Sequence, residues 1–153
     1  MSLLEVKNLK VHFPVRHGVF SRVRESVKAV DGVSFQIAPG ETVGLVGESG
    51  CGKSTLGRAI MRLVEPTAGE IYFRGENLTA LRGGALRGRR RKFQMIFQDP
   101  FASLNPRMTV EDIVGEALDI HGLMESSSAR TKRITELLLA VGLDAAYARR
   151  YPH

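Results

Sequence analysis

The sequence predicts an α/β fold in which a mixed sheet comes first and helices come last. Three observations predict it. Apolar and polar residues alternate in two segments before residue 38. A short apolar run, Thr42-Val43-Gly44-Leu45-Val46, then leads through a glycine-rich stretch into helical spacing. Beyond residue 98 the strand signals stop and only helical patterns continue.

Taken in order, Leu9, Val11 and Phe13 alternate within residues 3–13, as in a half-buried strand. Pro14, Gly18 and mixed charges break the pattern over 14–26. Val33, Phe35 and Ile37 alternate with Ser34 and Gln36, a second strand; the two form an antiparallel pair with a long connection. Pro39-Gly40 is a turn. The run 42–46 reads as a buried parallel strand. Leu56, Ala59, Ile60 and Leu63 fall on one helical face, and Glu65-Pro66 stops that helix. Ile71, Tyr72 and Phe73, between Gly69 and Gly75, form a short strand. Residues 78–92 carry helix formers interrupted by Gly83-Gly84, and Phe93, Met95, Ile96 and Phe97 make another strand-like run. Thr109 and Asp112 are placed as a capping box before Val110, Ile113, Val114, Ala117 and Leu118. Ile134, Leu137, Leu138 and Val141 form a further helical face between a serine cluster, 126–128, and Gly142. Asp144 caps a last short helix.

The stretch Gly47-Glu48-Ser49-Gly50-Cys51-Gly52-Lys53-Ser54-Thr55 fits the phosphate-loop pattern and sits between strand and helix, as the chemistry requires. A polyphosphate needs donors at close range. Gly50 and Gly52 let the backbone curl inward, and the helix start adds unpaired N–H groups and a positive dipole end. Lys53 can reach the β- and γ-phosphates, Ser54 can ligate Mg²⁺, and Thr55 adds a hydroxyl near the α-phosphate.

Bulk properties set the outer limits. A length of 153 residues suits about one domain, and 25% charged residues suit a globular chain. The net charge of +6 discriminates little among anionic partners. Cys51 is the single cysteine, which excludes an intrachain disulfide, and no Cys/His cluster suggests zinc. Met1-Ser2-Leu3-Leu4 runs straight into Glu5 and Lys7 without a signal-peptide pattern, and no apolar run approaches the ~20 residues of a membrane span. A cytosolic chain is expected. The most basic stretch, Arg82, Arg87, Arg89, Arg90, Arg91 and Lys92, reads as a solvated helix face, since it lacks the interleaved aromatics of a nucleic-acid platform.

Hydrolysis would also need an acidic residue at a second strand end. Asp99 follows Phe97-Gln98, but Pro100 comes next. Asp112-Ile113-Val114-Gly115 spells the Asp-x-x-Gly of small GTPases, yet in a helical pattern, and no Asn-Lys-x-Asp guanine-reading motif exists.

The phosphate loop, Gly69-Glu70-Ile71, and the run Gln94-Met95-Ile96-Phe97-Gln98-Asp99-Pro100-Phe101-Ala102-Ser103-Leu104-Asn105-Pro106-Arg107-Met108 together resemble an ABC transporter ATP-binding subunit. The run 98–108 most resembles the oligopeptide, dipeptide and nickel importer branch. Leu4-Glu5-Val6-Lys7-Asn8-Leu9 and Val27-Lys28-Ala29-Val30-Asp31-Gly32-Val33 fit that branch too, so the resemblance covers the whole chain.

The resemblance implies a phosphate-loop NTPase fold of the ABC ATPase kind: a mixed sheet, an antiparallel β subdomain and the start of a helical subdomain. Residues 1–98 would belong to the ATP-binding core and 99–153 to the exit of the Q-loop and the first helical part. Phe13 would stack on adenine, with Phe20 a weaker second choice. Gly47, Ser49, Gly50, Cys51, Gly52, Lys53, Ser54 and Thr55 would hold ATP. Gln98 would act as the Q-loop glutamine. Lys53 and Gln98 would serve catalysis, and Ser54 and Gln98 would hold Mg²⁺. Integral-membrane permease subunits and a second ATP-binding subunit would be partners, at the cytoplasmic face of the membrane and without insertion into it; nucleic acid is not expected. The family's signature motif, Walker B aspartate, catalytic glutamate and switch histidine have no counterpart up to His153. The expectation is an N-terminal portion that binds ATP without hydrolysing it, from a protein that energises import, chiefly of peptides. A soluble ABC-type module acting on nucleic acid is the alternative; a GTPase or small kinase is the third.

Overall fold

The computed structural model describes residues 2–17, 22–99 and 103–152. The chain forms two compact units, 1–94 and 95–153.

The first unit is built on a four-stranded antiparallel sheet. Strands β1 (Leu4–His17), β2 (Arg22–Ile37), β3 (Ala68–Phe73) and β4 (Glu76–Asn77) lie in the order β2-β1-β3-β4. Helix α1 (Lys53–Ile60) covers one face through Leu56 and Ala59. These two join Val6, Leu9, Val11, Val30, Ile71 and Leu78 in the core. Phe73 and Phe93 meet edge to face at its border, 5.4 Å between centroids.

The first two strands are longer than the alternation predicts. The ladder runs past Pro14, opposite Ser26, to His17 opposite Arg22. Pro14 is tolerated because β3 pairs with β1 only as far as Lys10, so beyond that point one side of β1 has no ladder to lose. The pairing also contains bulges. Lys10, Val11 and His12 pair with Asp31, Val30 and Lys28, and Leu9 pairs with Val33, which leaves Ala29 and Gly32 as extra residues on β2. Gly32 has φ 84°, a conformation glycine adopts without strain.

Two predicted strands do not form. Residues 42–46 and 93–97 have no ladder partner, and Val46 and Ile96 are 93% and 94% exposed. A parallel strand exists only between neighbours of matching direction, and every pairing among the described residues is antiparallel. Helix α1 is also shorter than its apolar spacing suggests. It ends at Ile60, not at Glu65-Pro66, and Leu63 is half exposed. Arg62 takes φ 55°, so Leu63 N–H donates back to the Arg58 carbonyl at 2.8 Å and closes the helix. The Arg62 side chain is buried, with Nη1 3.0 Å from Glu65 Oε1, and Arg90 Nη2 donates to the Arg62 carbonyl at 2.6 Å. Helix α2 (Gly83–Arg90) starts on the glycine pair that seemed to interrupt it.

The second unit contains α3 (Val110–Ile120), α4 (Ser127–Ala140) and a 3-10 helix (Ala145–Arg149). Leu118, Ile134 and Leu138 form its core. The predicted caps are all present. Thr109 and Asp112 cap α3 reciprocally, and Ser126 accepts from Ala129 N–H at the start of α4. Gly142, φ 79°, lets Leu143 N–H reach the Leu138 carbonyl at 2.9 Å, and Asp144 caps the last turn.

Candidate functional site

The glycine loop is shaped by two close approaches. Gly52 stands at the N-cap of α1 with φ 95°, and a Cβ there would lie 2.1 Å from the Ala29 carbonyl oxygen of β2. Only glycine fits both the left-handed conformation and the contact. At the other end, a Cβ on Gly47 would lie 2.7 Å from Cys51 Sγ, so the thiol fills the space the missing side chain leaves. Gly50, φ 84°, turns the chain between them.

No side chain caps α1, so the first-turn N–H groups of Lys53, Ser54 and Thr55 carry the helix's positive end without a protein acceptor from a cap. Lys53 folds over the loop. Its Nζ donates to the carbonyls of Gly47 at 2.7 Å and Glu48 at 2.6 Å, and lies 3.5 Å from Cys51 Sγ. An ammonium, a free helix start and a backbone ring thus face one spot. Ser54, also in this first turn, has an exposed side chain that leaves its hydroxyl open to a ligand. This donor set fits a polyphosphate, and Ser54 fits a cation that arrives with it. No cluster of three or more His, Cys, Asp or Glu that could hold a metal by itself occurs among the described residues.

A cleft of about 390 Å³ adjoins the loop, lined on one side by Cys51, Gly52 and Lys53 and on the other by Lys28, Ala29 and Asp31. Phe13 lies on the same sheet face as the buried Val11, opposite Val27 on β2, and is 43% exposed. This apolar pair extends the core face beyond α1. Phe20 lies outside the described residues. Gln98 is exposed, in a segment without helix or strand in the second unit. The structure therefore gathers residues 47–55 in one place in the first unit, with Phe13 on the hairpin of that same unit, and carries Gln98 in the other unit.

Sequence reasoning missed the part β2 plays. Asp31 accepts from His12 Nε2 at 2.9 Å and from Lys28 Nζ at 3.2 Å, and Lys10 Nζ is 4.0 Å away. The hydrogen bond from His12, then that from Lys28, holds its carboxyl below the usual carboxylate range. The signal was present: Val27, Val30, Val33, Phe35 and Ile37 step by three, three, two and two, which is what two bulges do to an alternating strand. The GTPase-like letters have a structural explanation. Asp112 is spent on the cap of α3, and Gly115 makes room for the Arg130 guanidinium that pairs with Asp119.

The basic stretch is partly consumed by the chain itself. Arg89 chelates the Glu76 carboxylate and Arg90 holds the Arg62 carbonyl. Arg82 donates to the Thr79 carbonyl at 2.6 Å and pairs with Glu65 at 3.0 Å.

The ABC transporter family model matches residues 30–152, from the bulged strand through the glycine loop to the last helix. The chain belongs to the ABC transporter family. Over its full length it is 55% identical to the putative oligopeptide transport ATP-binding protein YkfD of Bacillus subtilis, covering 45% of that protein. It is 56% identical over 152 residues to the oligopeptide transport ATP-binding protein OppF of the same species, 99% of this chain and 48% of the relative. This ABC transporter chain thus spans about half the length of these curated relatives. The ATP-binding cassette MJ0796, solved as a dimer in a post-hydrolysis state with ADP and phosphate, superposes with a TM-score of 0.75 at 29% identity, over 97% of this chain and 61% of that one. The α/β fold with an antiparallel sheet is that of an ABC cassette.

Proposed function

We propose that this chain is the nucleotide-binding portion of a subunit that energises import, chiefly of peptides, by binding and hydrolysing ATP. The uncapped start of α1 beneath the Lys53 ammonium carries the nucleotide reading. The printed names of YkfD and OppF support the peptide reading.

In this reading residues 47–55 wrap the phosphates. Lys53, now bonded to the Gly47 and Glu48 carbonyls, would turn its ammonium to the β- and γ-phosphates, and Ser54 would hold Mg²⁺. Bound Mg²⁺ offsets phosphate charge, which lets the loop amides and one ammonium hold the rest. Phe13 offers an exposed aromatic face for adenine. Gln98 would act as the Q-loop glutamine, toward Mg²⁺ or the attacking water. Residues 99–153 open the helical subdomain that faces an integral-membrane permease, and a second ATP-binding subunit completes the pair. The protein works at the cytoplasmic face of the membrane as a peripheral subunit; no described helix is long and apolar enough to cross a bilayer.

The 153-residue chain alone binds MgATP and does not turn it over, because Asp112 is committed to a helix cap and no described acidic residue ends a paired strand beside the loop. The test is a titration of the purified chain with a fluorescent ATP analogue and an assay of released phosphate. Lys53→Ala weakens binding by about ten- to a hundred-fold, the worth of charge-assisted bonds to phosphate. Equal binding by the wild-type chain and the variant would sink the assignment, and Lys53-dependent phosphate release would refute the claim of no turnover.

A further inference from the structure

We infer that Asp31, with His12 and Lys28, is a positioning device that seats the phosphate loop through the bulged residue Ala29. Resting on the nucleotide-binding assignment, the inference adds residues outside the loop to it.

The argument begins with Ala29. It is the extra residue between the pairs Val11–Val30 and His12–Lys28, so its peptide is freed from the ladder register. Its carbonyl oxygen occupies the place where a side chain of residue 52 would begin. The loop's conformation at Gly52 is therefore set by where the bulge puts this one oxygen.

The bulge is held from the opposite face of the hairpin. Lys28 precedes Ala29 and Asp31 follows two residues later, and their side chains bond at 3.2 Å across the bulge. The second Asp31 oxygen takes His12 Nε2 at 2.9 Å from the facing strand. His12 is itself fixed by its backbone, whose N–H donates to Thr67 Oγ1 at 2.8 Å and whose carbonyl accepts from the same hydroxyl at 3.4 Å, just before β3. One carboxylate thus ties both strands around the extra residue, with Lys10 as the further cation nearby. Lys28 and Asp31 also line the cleft beside the loop, but their side-chain bonds run to each other and to His12 while those of Lys53 stay within the loop, so their hold on the loop's conformation passes through Ala29.

Amide hydrogen exchange of the nucleotide-free 153-residue chain tests this, with inorganic triphosphate and MgATP titrations beside it. In Asp31→Ala the amides of residues 50–53 exchange about ten-fold faster, while those of β3 and α3 keep their rates. Triphosphate and MgATP affinities fall together by about five-fold, because the cradle and not the adenine contact is misplaced. Asp31→Asn, which still accepts from His12 but gives up the charge facing Lys28, shows a smaller effect in the same direction, and serves if the alanine variant does not fold. Unchanged exchange at 50–53, or equal acceleration throughout the first unit, would overturn the inference. Because exchange is read without nucleotide, it stands apart from whether the wild-type chain binds MgATP.

Discussion

Gly52 meets two demands that no other residue meets together. Its φ of 95° places it where an L side chain costs roughly 1–2 kcal/mol, and its Cα faces a backbone oxygen that cannot rotate away. Gly52→Ala therefore displaces the loop or the bulge. We expect a loss of about 2 kcal/mol or more in thermal or denaturant unfolding, together with loss of nucleotide binding. A variant that keeps both would show that the close approach is not maintained in solution. The sequence pattern marks Gly52, but only the fold shows what it touches. Lys53 was legible from its place in the motif; the bonds it makes to Gly47 and Glu48 were not, since they depend on how the loop closes.

The helices of the second unit show the element scale at its most readable. Their caps are local in sequence, so Thr109, Ser126, Gly142 and Asp144 could be placed by spacing alone. Thr109→Ala removes the hydroxyl that serves both Asp112 and the helix start, and is expected to cost about 1 kcal/mol in denaturant unfolding. Bonds from the Thr109 hydroxyl, then the Thr109 backbone, lower the Asp112 pKa from 3.8. A lowered folded-state pKa stabilises above the unfolded value and is lost as pH falls through the folded one. The cap's contribution is thus complete at neutral pH and fades below about pH 4, and acid unfolding of Thr109→Ala should be less steep there than that of wild type. Strands were harder to read, because their pairing is not local. Residues 42–46 and 93–97 have the apolar content of strands, yet content cannot supply a neighbour. The long β1–β2 hairpin was underestimated for the opposite reason: Pro14 reads as a breaker unless it is known that one side of the strand is unpaired there.

At the scale of the whole molecule, two unpaired apolar runs have the backbone and side chains of a pairing template. Val46→Lys should raise the concentration at which light scattering appears while leaving the melting temperature within about 2 °C, since surface substitutions rarely shift stability much. A fall in melting temperature would mean that Val46 is packed. Among the described residues the strands lie in the first unit, 1–94, and the second, 95–153, contains only helices, a change that the sequence shows as the end of its strand signals.

The bulges at Ala29 and Gly32 also bear on how this hairpin can change length over evolutionary time. Side chains on a strand switch faces with every residue, and a bulge absorbs one extra residue without passing that switch along the strand. Val27 and Val30 thus stand opposite Phe13 and Val11 on one face although they are three residues apart. Losing Ala29 alone would make Lys28 and Val30 ordinary neighbours and keep Val27 opposite Phe13. Homologous hairpins should therefore tolerate a single-residue gap at 29 or 32, whereas a gap within a regular stretch of β2 should be met by a matching one on β1.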